Sequence, residues 1–208
     1  MSLILLITSS PRGSDGLSTR FASDLARRLE LQRPGSRLTI RDLSELSLPH
    51  IDEAYIVGRA TPSDARTSAQ VQAVRLAETL IAELKAADII VIGSAMINFG
   101  PSTQLRAWFD HVIWPGVTFD HGDNTVEGLV KGKKAYLVTA SAGVYSEGPL
   151  APMDFQSAYL KHLLGFIGIT DVQQLYVEGT GTSYGPDAAK VAIEKANTAL
   201  ESMLAGTV

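Results

Sequence analysis

The sequence predicts an α/β fold: a doubly wound, five-stranded parallel sheet with helices on both faces. Short segments rich in Leu, Ile and Val alternate with longer segments whose apolar residues recur at helical spacing. Residues 88–93 (DIIVIG) are apolar at successive positions, which is typical of a parallel strand buried on both faces. Loops rich in Gly, Ser and Asn follow these apolar segments, as expected where a strand turns into a helix.

The individual elements follow in order along the chain. The predicted strands are residues 3–9, 37–43, 88–93, 134–139 and 172–177. The predicted helices are one that begins at Leu17, one over residues 69–86, one that opens at Pro101 and runs to about Trp114, and those at about 154–164 and 186–204. Residues 44–63 are predicted to form a long connection. Residues 116–130, which contain Gly122-Asp123-Asn124, are predicted to form a hairpin.

Composition narrows the classes of function. The length of 208 residues suits one domain spanning residues 1–208. A net charge of −4 argues against a nucleic-acid partner. The absence of cysteine excludes disulfides, thiolate metal sites and a cysteine nucleophile. No basic leader and no apolar run long enough to span a membrane is visible, so we expect a cytoplasmic protein without a membrane partner.

The turn between the first strand and the first helix has the chemistry of an anion site. Residues 10–16 (SPRGSDG) lead into the helix at Leu17, whose first backbone N–H groups have no partner within the helix. Together with the helix dipole, these groups favour a phosphate. The alternative is that Ser18 only caps the helix and Gly16 only serves a turn.

Three loops meet at the predicted edge of the sheet where ligands bind in such folds. These loops are residues 9–18, 96–99 and 140–143, and each follows a predicted strand. The carboxyl ends of parallel strands lie at one edge, and ligands bind there at the point where the strand order reverses. The sequence therefore predicts one binding surface assembled from separated segments.

These loops resemble those of the FMN-dependent NADH-azoreductases, also called NADH:quinone oxidoreductases, of the flavodoxin-like superfamily. The resemblance covers nearly the whole chain and implies a flavodoxin-like fold. It depends on the order and spacing of several short motifs. These are Ser9-Ser10 with Ser18, Met96-Ile97-Asn98-Phe99, Gly116-Val117-Thr118-Phe119, Gly128-Leu129-Val130-Lys131-Gly132-Lys133, Leu164-Gly165-Phe166-Ile167-Gly168-Ile169 and Glu178-Gly179.

The resemblance implies a set of residues that bind FMN. Those that would hold its phosphate are Ser10, Gly16, Leu17 and Ser18. Those that would border the isoalloxazine ring are Met96, Ile97, Asn98 and Phe99, with an apolar wall and directed hydrogen bonds. Those that would line the pyrimidine side are Ala140, Ser141, Ala142 and Gly143. The alternative for the second group is a helix-entry loop in which Asn98 is a turn residue and Met96 and Phe99 belong to the core.

This chain departs from the family pattern at two places. The usual pattern near the pyrimidine is close to Ser-Arg-Gly-Gly, whereas this chain has Ala140-Ser141-Ala142-Gly143. Ile97 stands where the family usually has Tyr. An Arg side chain and a phenol are therefore absent, although backbone donors remain. If Ala142 must adopt a positive φ, that conformation costs on the order of 1 kcal/mol relative to Gly.

Aromatic side chains near these loops are candidates for a substrate pocket. They are Tyr145, Phe119, Trp114 and Phe166, some of which a second subunit could contribute. The alternatives are a core or rim position for Tyr145 and plain core or interface packing for the others. The four histidines, His50, His111, His121 and His162, have no metal-ligand spacing, so we expect no metal site.

By the resemblance, the chain is a homodimeric FMN-dependent oxidoreductase. NADH or NADPH would transfer hydride to FMN and leave, and a quinone or azo acceptor would then take its place, which gives ping-pong kinetics. No side chain is expected to be catalytic, because the cofactor carries the chemistry. The alternative is a non-enzymatic flavin protein, either an electron carrier or a redox-sensing interaction module. The turn after the first strand lacks the Gly-x-Gly-x-x-Gly of a dinucleotide-binding Rossmann fold.

Overall fold

The computed structural model describes residues 2–122 and 125–206. Its strands are β1 (Leu3–Thr8), β2 (Arg37–Asp42), β3 (Ile89–Ala95), β4 (Phe119–Gly122), β5 (Thr125–Gly128), β6 (Lys134–Ala140) and β7 (Asp171–Val177). Its α-helices are α1 (Leu17–Leu31), α2 (Glu53–Ala60), α3 (Ser68–Ala86), α4 (Thr103–Val112), α5 (Phe155–Phe166) and α6 (Ala188–Ala205). The predicted α/β class is therefore confirmed.

The main sheet has five parallel strands in the order β2-β1-β3-β6-β7. From β1 the chain first adds β2 on one side and then crosses to add β3 on the other. The strand order therefore reverses between β1 and β3. This is the position at which open α/β sheets bind ligands, beyond the carboxyl ends of the strands.

Helices bury both faces of this sheet. Leu5 and Ile7 of β1 pack in a core with residues of α3, α4 and α5. Ile4 and Leu6, which alternate with them along the strand, pack on the opposite face with residues of α1 and α6. Because successive side chains of a strand point to opposite faces, the continuous apolar pattern of β1 reflects burial on both sides.

The structure corrects two of the predicted elements. The segment 44–63 is not only a connection, because it contains α2, in which Asp52 caps the helix by accepting a hydrogen bond from Tyr55 N at 2.8 Å. Helix α4 does not open at Pro101 but at Thr103, and the side chain of Ser102 caps it. That helix ends at Val112, two residues before Trp114.

The predicted hairpin is confirmed for the described part of residues 116–130. Strands β4 and β5 pair antiparallel, with Phe119 opposite Gly128 and Gly122 opposite Thr125. Asp123 and Asn124 lie outside the described residues. The base of the hairpin packs closely on the end of α5. A Cβ atom added at Gly128 would clash with the backbone of Ile167 and Gly168, so only glycine fits there.

Candidate functional site

The turn after β1 is fixed to the neighbouring strand and leaves its polar groups at the sheet edge. Ser9 donates hydrogen bonds from its backbone N and its Oγ to Gly93 O, at 3.1 and 3.2 Å. Ser10 is buried, and its Oγ accepts a hydrogen bond from Arg12 N at 3.2 Å. The turn is therefore held in place by hydrogen bonds rather than by apolar packing alone.

The start of α1 has polar groups that no atom of the described residues satisfies. Gly16 is the N-cap residue and provides no side-chain cap. The Ser18 side chain is fully buried, and its Oγ has no hydrogen-bond partner within the described part of the chain. Buried hydroxyls are normally hydrogen-bonded, so an unpartnered one beside uncapped helix N–H groups fits a bound phosphate.

Glycine at residue 16 is required by the close approach of Ser10. A Cβ atom added at Gly16 would lie 2.7 Å from Ser10 Cβ and closer still to its Oγ. A second close approach holds the helix against the sheet, because a Cβ at Gly93 would lie 2.8 Å from both Ala22 Cβ and Ser18 O. These two glycines place Ser10 and Ser18 around the same helix start.

The loop after β3 is a tight turn in an uncommon backbone conformation. Ile97 and Gly100 exchange two backbone hydrogen bonds, at 2.8 and 3.0 Å. Between them Asn98 and Phe99 have φ values of +47° and +70°. Asn tolerates this left-handed region, but Phe rarely adopts it, and such strain clusters at ligand sites. Ile97 and Phe99 are also 42% and 39% exposed, so this turn presents apolar surface at the sheet edge.

The loop after β6 lies directly beside that turn. Met96 N donates to Ala140 O at 2.8 Å, which joins the ends of β3 and β6. The loop is also tied to the segment after β7, since Gly181 N donates to Ala142 O at 2.9 Å. Thr180 Oγ1 donates to Ser141 O at 3.0 Å. The Met96–Phe99 and Ala140–Gly143 loops that the sequence singled out are therefore neighbours in space.

Ala142 does not adopt the positive φ that would cost Ala more than Gly. Asn98 and Phe99 are the only non-glycine residues with positive φ in the described ranges 2–122 and 125–206. Ala142 therefore needs no left-handed conformation and carries no such penalty relative to Gly. Gly143 instead makes close contact with a neighbour, because a Cβ there would lie 2.7 Å from the ring of Tyr145.

Glu178 lies beside the candidate site, and the sequence did not reveal the hydrogen bonds that it makes there. Its carboxylate accepts hydrogen bonds from the backbone N of Tyr145 and of Ser146, at 2.7 and 2.9 Å. The Ser146 hydroxyl donates to the other carboxylate oxygen. The Tyr145 ring in turn contacts Phe99 edge-on, with centroids 6.2 Å apart. Glu178 thus fixes the segment that brings Tyr145 against the turn after β3.

The other aromatic residues predicted for the substrate pocket make ring contacts elsewhere and not with Tyr145 in the described residues. Phe119 and Phe166 lie 4.6 Å apart between ring centroids. Trp114 is 5% exposed, packs edge-on against Tyr55 at 6.0 Å, and has Arg66 over its ring at 5.8 Å. Across residues 2–122 and 125–206, no ring contact joins Tyr145 to Phe119, Phe166 or Trp114. Their common role in a substrate pocket remains a prediction.

The buried side-chain amide of Gln156 holds the end of β3 through hydrogen bonds. Gln156 is fully buried at the start of α5, and its Nε2 donates to Ser94 Oγ at 2.8 Å and to Ala95 O at 3.0 Å. These contacts hold the strand residues just before Met96. No sequence signal distinguished Gln156, because a single Gln in a helical segment is ordinarily exposed.

His111 and Tyr55 are two titratable groups with shifted pKa values, and Tyr176, near the carboxyl end of β7, is another whose pKa burial raises. Burial lowers the pKa of His111, whose Nε2 lies 3.0 Å from Pro49 O. Burial raises the pKa of Tyr55 to about 12, and its hydroxyl donates to His111 O at 3.0 Å. No group of three or more His, Cys, Asp or Glu residues that could hold a metal ion occurs among the described residues. The turns after β1 and β3 thus offer hydroxyl and backbone donors and apolar surface, while the Glu178 carboxylate is engaged by residues 145 and 146.

Comparison with known proteins identifies the family. A protein-family model described as "Flavodoxin-like fold" matches residues 2–204. The chain is 62% identical over 204 residues to FMN-dependent NADH:quinone oxidoreductase 1 of Burkholderia lata, with 98% of each chain covered. It is 54% identical over 205 residues to FMN-dependent NADH:quinone oxidoreductase 2 of Rhizobium etli, again with 98% of each covered.

Solved structures share the fold over the full length. An azoreductase from Bacillus anthracis str. Sterne superposes with a TM-score of 0.89 at 24% identity and covers 98% of this chain and 99% of its own. An FMN-dependent NADH-azoreductase from Bacillus anthracis str. Ames Ancestor, solved in complex with FMN, gives a TM-score of 0.84 at 19% identity and covers 98% of this chain and 100% of its own. At these identities the structures establish the shared fold, and the sequence relatives establish the kinship. The chain belongs to the flavodoxin-like family that includes the FMN-dependent NADH:quinone oxidoreductases.

Proposed function

We propose that this chain is an FMN-dependent oxidoreductase that passes electrons from NADH to a quinone or azo acceptor. The single observation that carries the proposal is the start of α1, where the buried Ser18 Oγ has no partner in the described structure and the helix has no side-chain cap. A phosphate dianion satisfies both groups. The curated relatives, at 62% and 54% identity, are named for this activity.

The residues of the edge bind and orient the cofactor. Ser10, Gly16, Leu17 and Ser18 hold the FMN phosphate in this proposal. When held by these residues, FMN would supply the hydride-transfer and electron-transfer chemistry that the side chains themselves lack. The exposed apolar groups of Ile97 and Phe99 provide a surface for a planar ring and exclude water from it.

In this proposal the loop after β6 lines the pyrimidine side of the flavin ring, beside the turn after β3. Ala140, Ser141, Ala142 and Gly143 supply backbone amides, which can stabilise negative charge without the Arg side chain common in the family. Because Ala142 needs no positive φ, its replacement of Gly is compatible with this role. Asn98, at the adjacent turn, supplies an amide group. No side chain of this chain acts as a nucleophile or transfers the hydride.

Several finer points belong to the same proposal. We expect residues 1–208 to act as one domain, a homodimer in which the aromatic residues near the hairpin complete the substrate pocket, and a cytoplasmic location. No helix in residues 2–122 or 125–206 is long and apolar enough to cross a membrane. NADPH remains an alternative donor. The carrier or sensor alternative has no support from the relatives, which are named as oxidoreductases.

Steady-state oxidation of NADH with a neutral quinone tests the proposal. In the absence of oxygen, the FMN-loaded protein should oxidise NADH over many turnovers only when the quinone is present, and the apoprotein should not. Parallel double-reciprocal plots are expected, because donor and acceptor use the same place in turn. A planar apolar surface favours quinones, so we expect azo dyes to react more slowly. Binding of FMN without any NADH oxidation would instead support the carrier or sensor alternative.

A further inference from the structure

A second ligand-sized groove lies between α2, α3 and the segment that follows α4. Its volume is about 510 Å³, which is within the range of roughly 300–1,000 Å³ typical of small-molecule sites. Its apolar lining consists of Ile81, Ala82, Trp114, Pro115 and Val117. Its charged lining consists of Arg59, Arg66, Lys85 and Glu78.

The charges around the groove are unbalanced. Arg66 already has a counter-ion, since its Nη1 pairs with Glu78 at 2.6 Å, and its Nε donates to Gly58 O and Thr61 O at 2.8 and 3.1 Å. Arg59 and Lys85 form no ion pair with any carboxylate of the described residues. Two cations therefore face the groove without a counter-ion, although the chain as a whole has a net charge of −4.

The groove is also rigid on its cationic side. Arg59 lies over the ring of buried Tyr55 at 5.9 Å. Helix α2, which carries Arg59, packs so closely on α3 that a Cβ at Gly58 would lie 3.0 Å from Gln70 Cβ. The guanidinium is thus presented from a fixed helix, and little ordering is required when a ligand binds.

We propose that this groove binds a planar aromatic ligand that carries a carboxylate or sulfonate group. The ring lies on Ala82, Pro115 and Val117, which are the accessible apolar residues of the lining, and the anionic group pairs with Arg59 and Lys85. An arginine guanidinium matches the geometry of a carboxylate, and a partly shielded pair is stronger than a fully exposed one. The proposal rests on the groove itself and requires neither FMN nor NADH.

Calorimetric titration of the FMN-loaded protein with 2-naphthoate tests the proposal, with neutral 2-naphthamide as the matched ligand. Naphthoate should bind more tightly than naphthamide and quench tryptophan emission, since Trp114 lines the groove. Arg59→Gln should weaken naphthoate binding by about tenfold, as expected for loss of one charged hydrogen bond. Lys85→Gln, at an exposed position, should weaken it less, and it serves as the second variant if Arg59→Gln does not fold.

The control variant is Arg75→Gln, which removes the same charge from the exposed side of α3 without touching the groove. It should leave naphthoate affinity unchanged, and the visible spectrum of the bound flavin should not change on titration. Equal affinities for the two ligands, equal affinities in Arg59→Gln and wild type, or a naphthoate-induced change in the flavin spectrum would each overturn the proposal. None of these measurements depends on electron transfer, so their failure is distinct from failure of the proposed oxidoreductase activity.

Discussion

Ser10 occupies the space in which residue 16 would carry a side chain: a Cβ at Gly16 would lie 2.7 Å from Ser10 Cβ. The contact joins the end of β1 to the N-cap of α1. It forces the chain to turn tightly around the place where Ser18 Oγ is buried without a partner in the described structure. The contact between Gly16 and Ser10 is therefore one of the contacts that set the conformation of the proposed phosphate site.

Replacement of Gly16 by Ala should weaken FMN binding. The added methyl group must displace Ser10, at a cost of about 1–3 kcal/mol for overpacking, and the displacement opens the turn. The measurement is the dissociation constant of FMN from quenching of its fluorescence. Gly165→Ala is the matched control, because a Cβ there meets nothing within 4 Å. An unchanged FMN affinity in Gly16→Ala would remove this turn from the phosphate site.

Replacement of Ser18 by Ala should lower the affinity for FMN without lowering the stability of the apoprotein. The apoprotein should be as stable as wild type or slightly more so, because an unsatisfied buried hydroxyl is lost. FMN affinity should fall by about tenfold, as expected for loss of a hydrogen bond to a charged group. Riboflavin, which lacks the phosphate, is the control ligand and should bind both forms equally. A similar loss for riboflavin would show that Ser18 does not act through the phosphate.

Replacement of Asn98 by Ala should weaken FMN binding, and Asn98→Gly identifies the cause. Because φ of Asn98 is +47°, Ala is strained there by about 1–2 kcal/mol, whereas Gly is not. If the amide side chain contacts the cofactor, both variants lose FMN affinity but only Asn98→Ala loses stability against urea. Full FMN affinity in Asn98→Gly would show that the loss of affinity in Asn98→Ala comes from backbone strain in the turn and not from loss of the amide side chain.

Replacement of Glu178 by Gln should loosen the segment that holds Tyr145. Glutamine retains one acceptor oxygen, so it cannot accept all three hydrogen bonds that the carboxylate receives from residues 145 and 146. Amide hydrogen exchange of residues 144–147 should speed up, and the visible spectrum of bound FMN should shift. Glu147→Gln, at an exposed neighbouring position, is the control. Unchanged exchange in Glu178→Gln would show that the carboxylate does not hold this segment.

Stability should fall on acidification because of His111. Burial lowers the pKa of this residue below the ordinary value of 6.5, so near pH 6 the unfolded chain binds more protons than the folded one. The contribution of neutral His111 to the free energy of unfolding is therefore complete above pH 6.5. It is lost as the pH falls through the lower pKa of the folded state. The free energy of unfolding in urea should differ less between pH 5.5 and pH 7.5 in His111→Gln than in wild type. The exposed His162→Gln should behave as wild type, and an equal pH dependence in all three proteins would contradict this assignment.

The parts of the fold that the sequence could predict are those with a strong period or an apolar run. Strands β1 and β3 are continuous apolar segments, and in α1 the residues Phe21, Leu25 and Leu29, which lie four apart, are buried on one face. Helix α2 was missed because its 8 residues span little more than two turns, too few to show a period. Asp52 was the available signal, since it caps the helix.

The site was harder to predict because much of it depends on contacts between distant segments. Adjacency of the loops after β3 and β6 follows from topology and was expected. The left-handed conformation of Phe99 was not, since Phe has no local preference for it. The hydrogen bonds of Glu178 reach residues that are 33 and 32 positions away along the chain, so no local sequence pattern predicts them.

An anaerobic absorbance trace tests the central claim most directly. Purified protein is loaded with FMN, freed of excess cofactor and mixed with NADH in the absence of oxygen, and the visible absorption of the bound flavin is followed. The account predicts rapid bleaching, which returns to the oxidised spectrum when a quinone is added. A bound flavin that stays oxidised with both NADH and NADPH would contradict the account and leave a flavin carrier or sensor in its place.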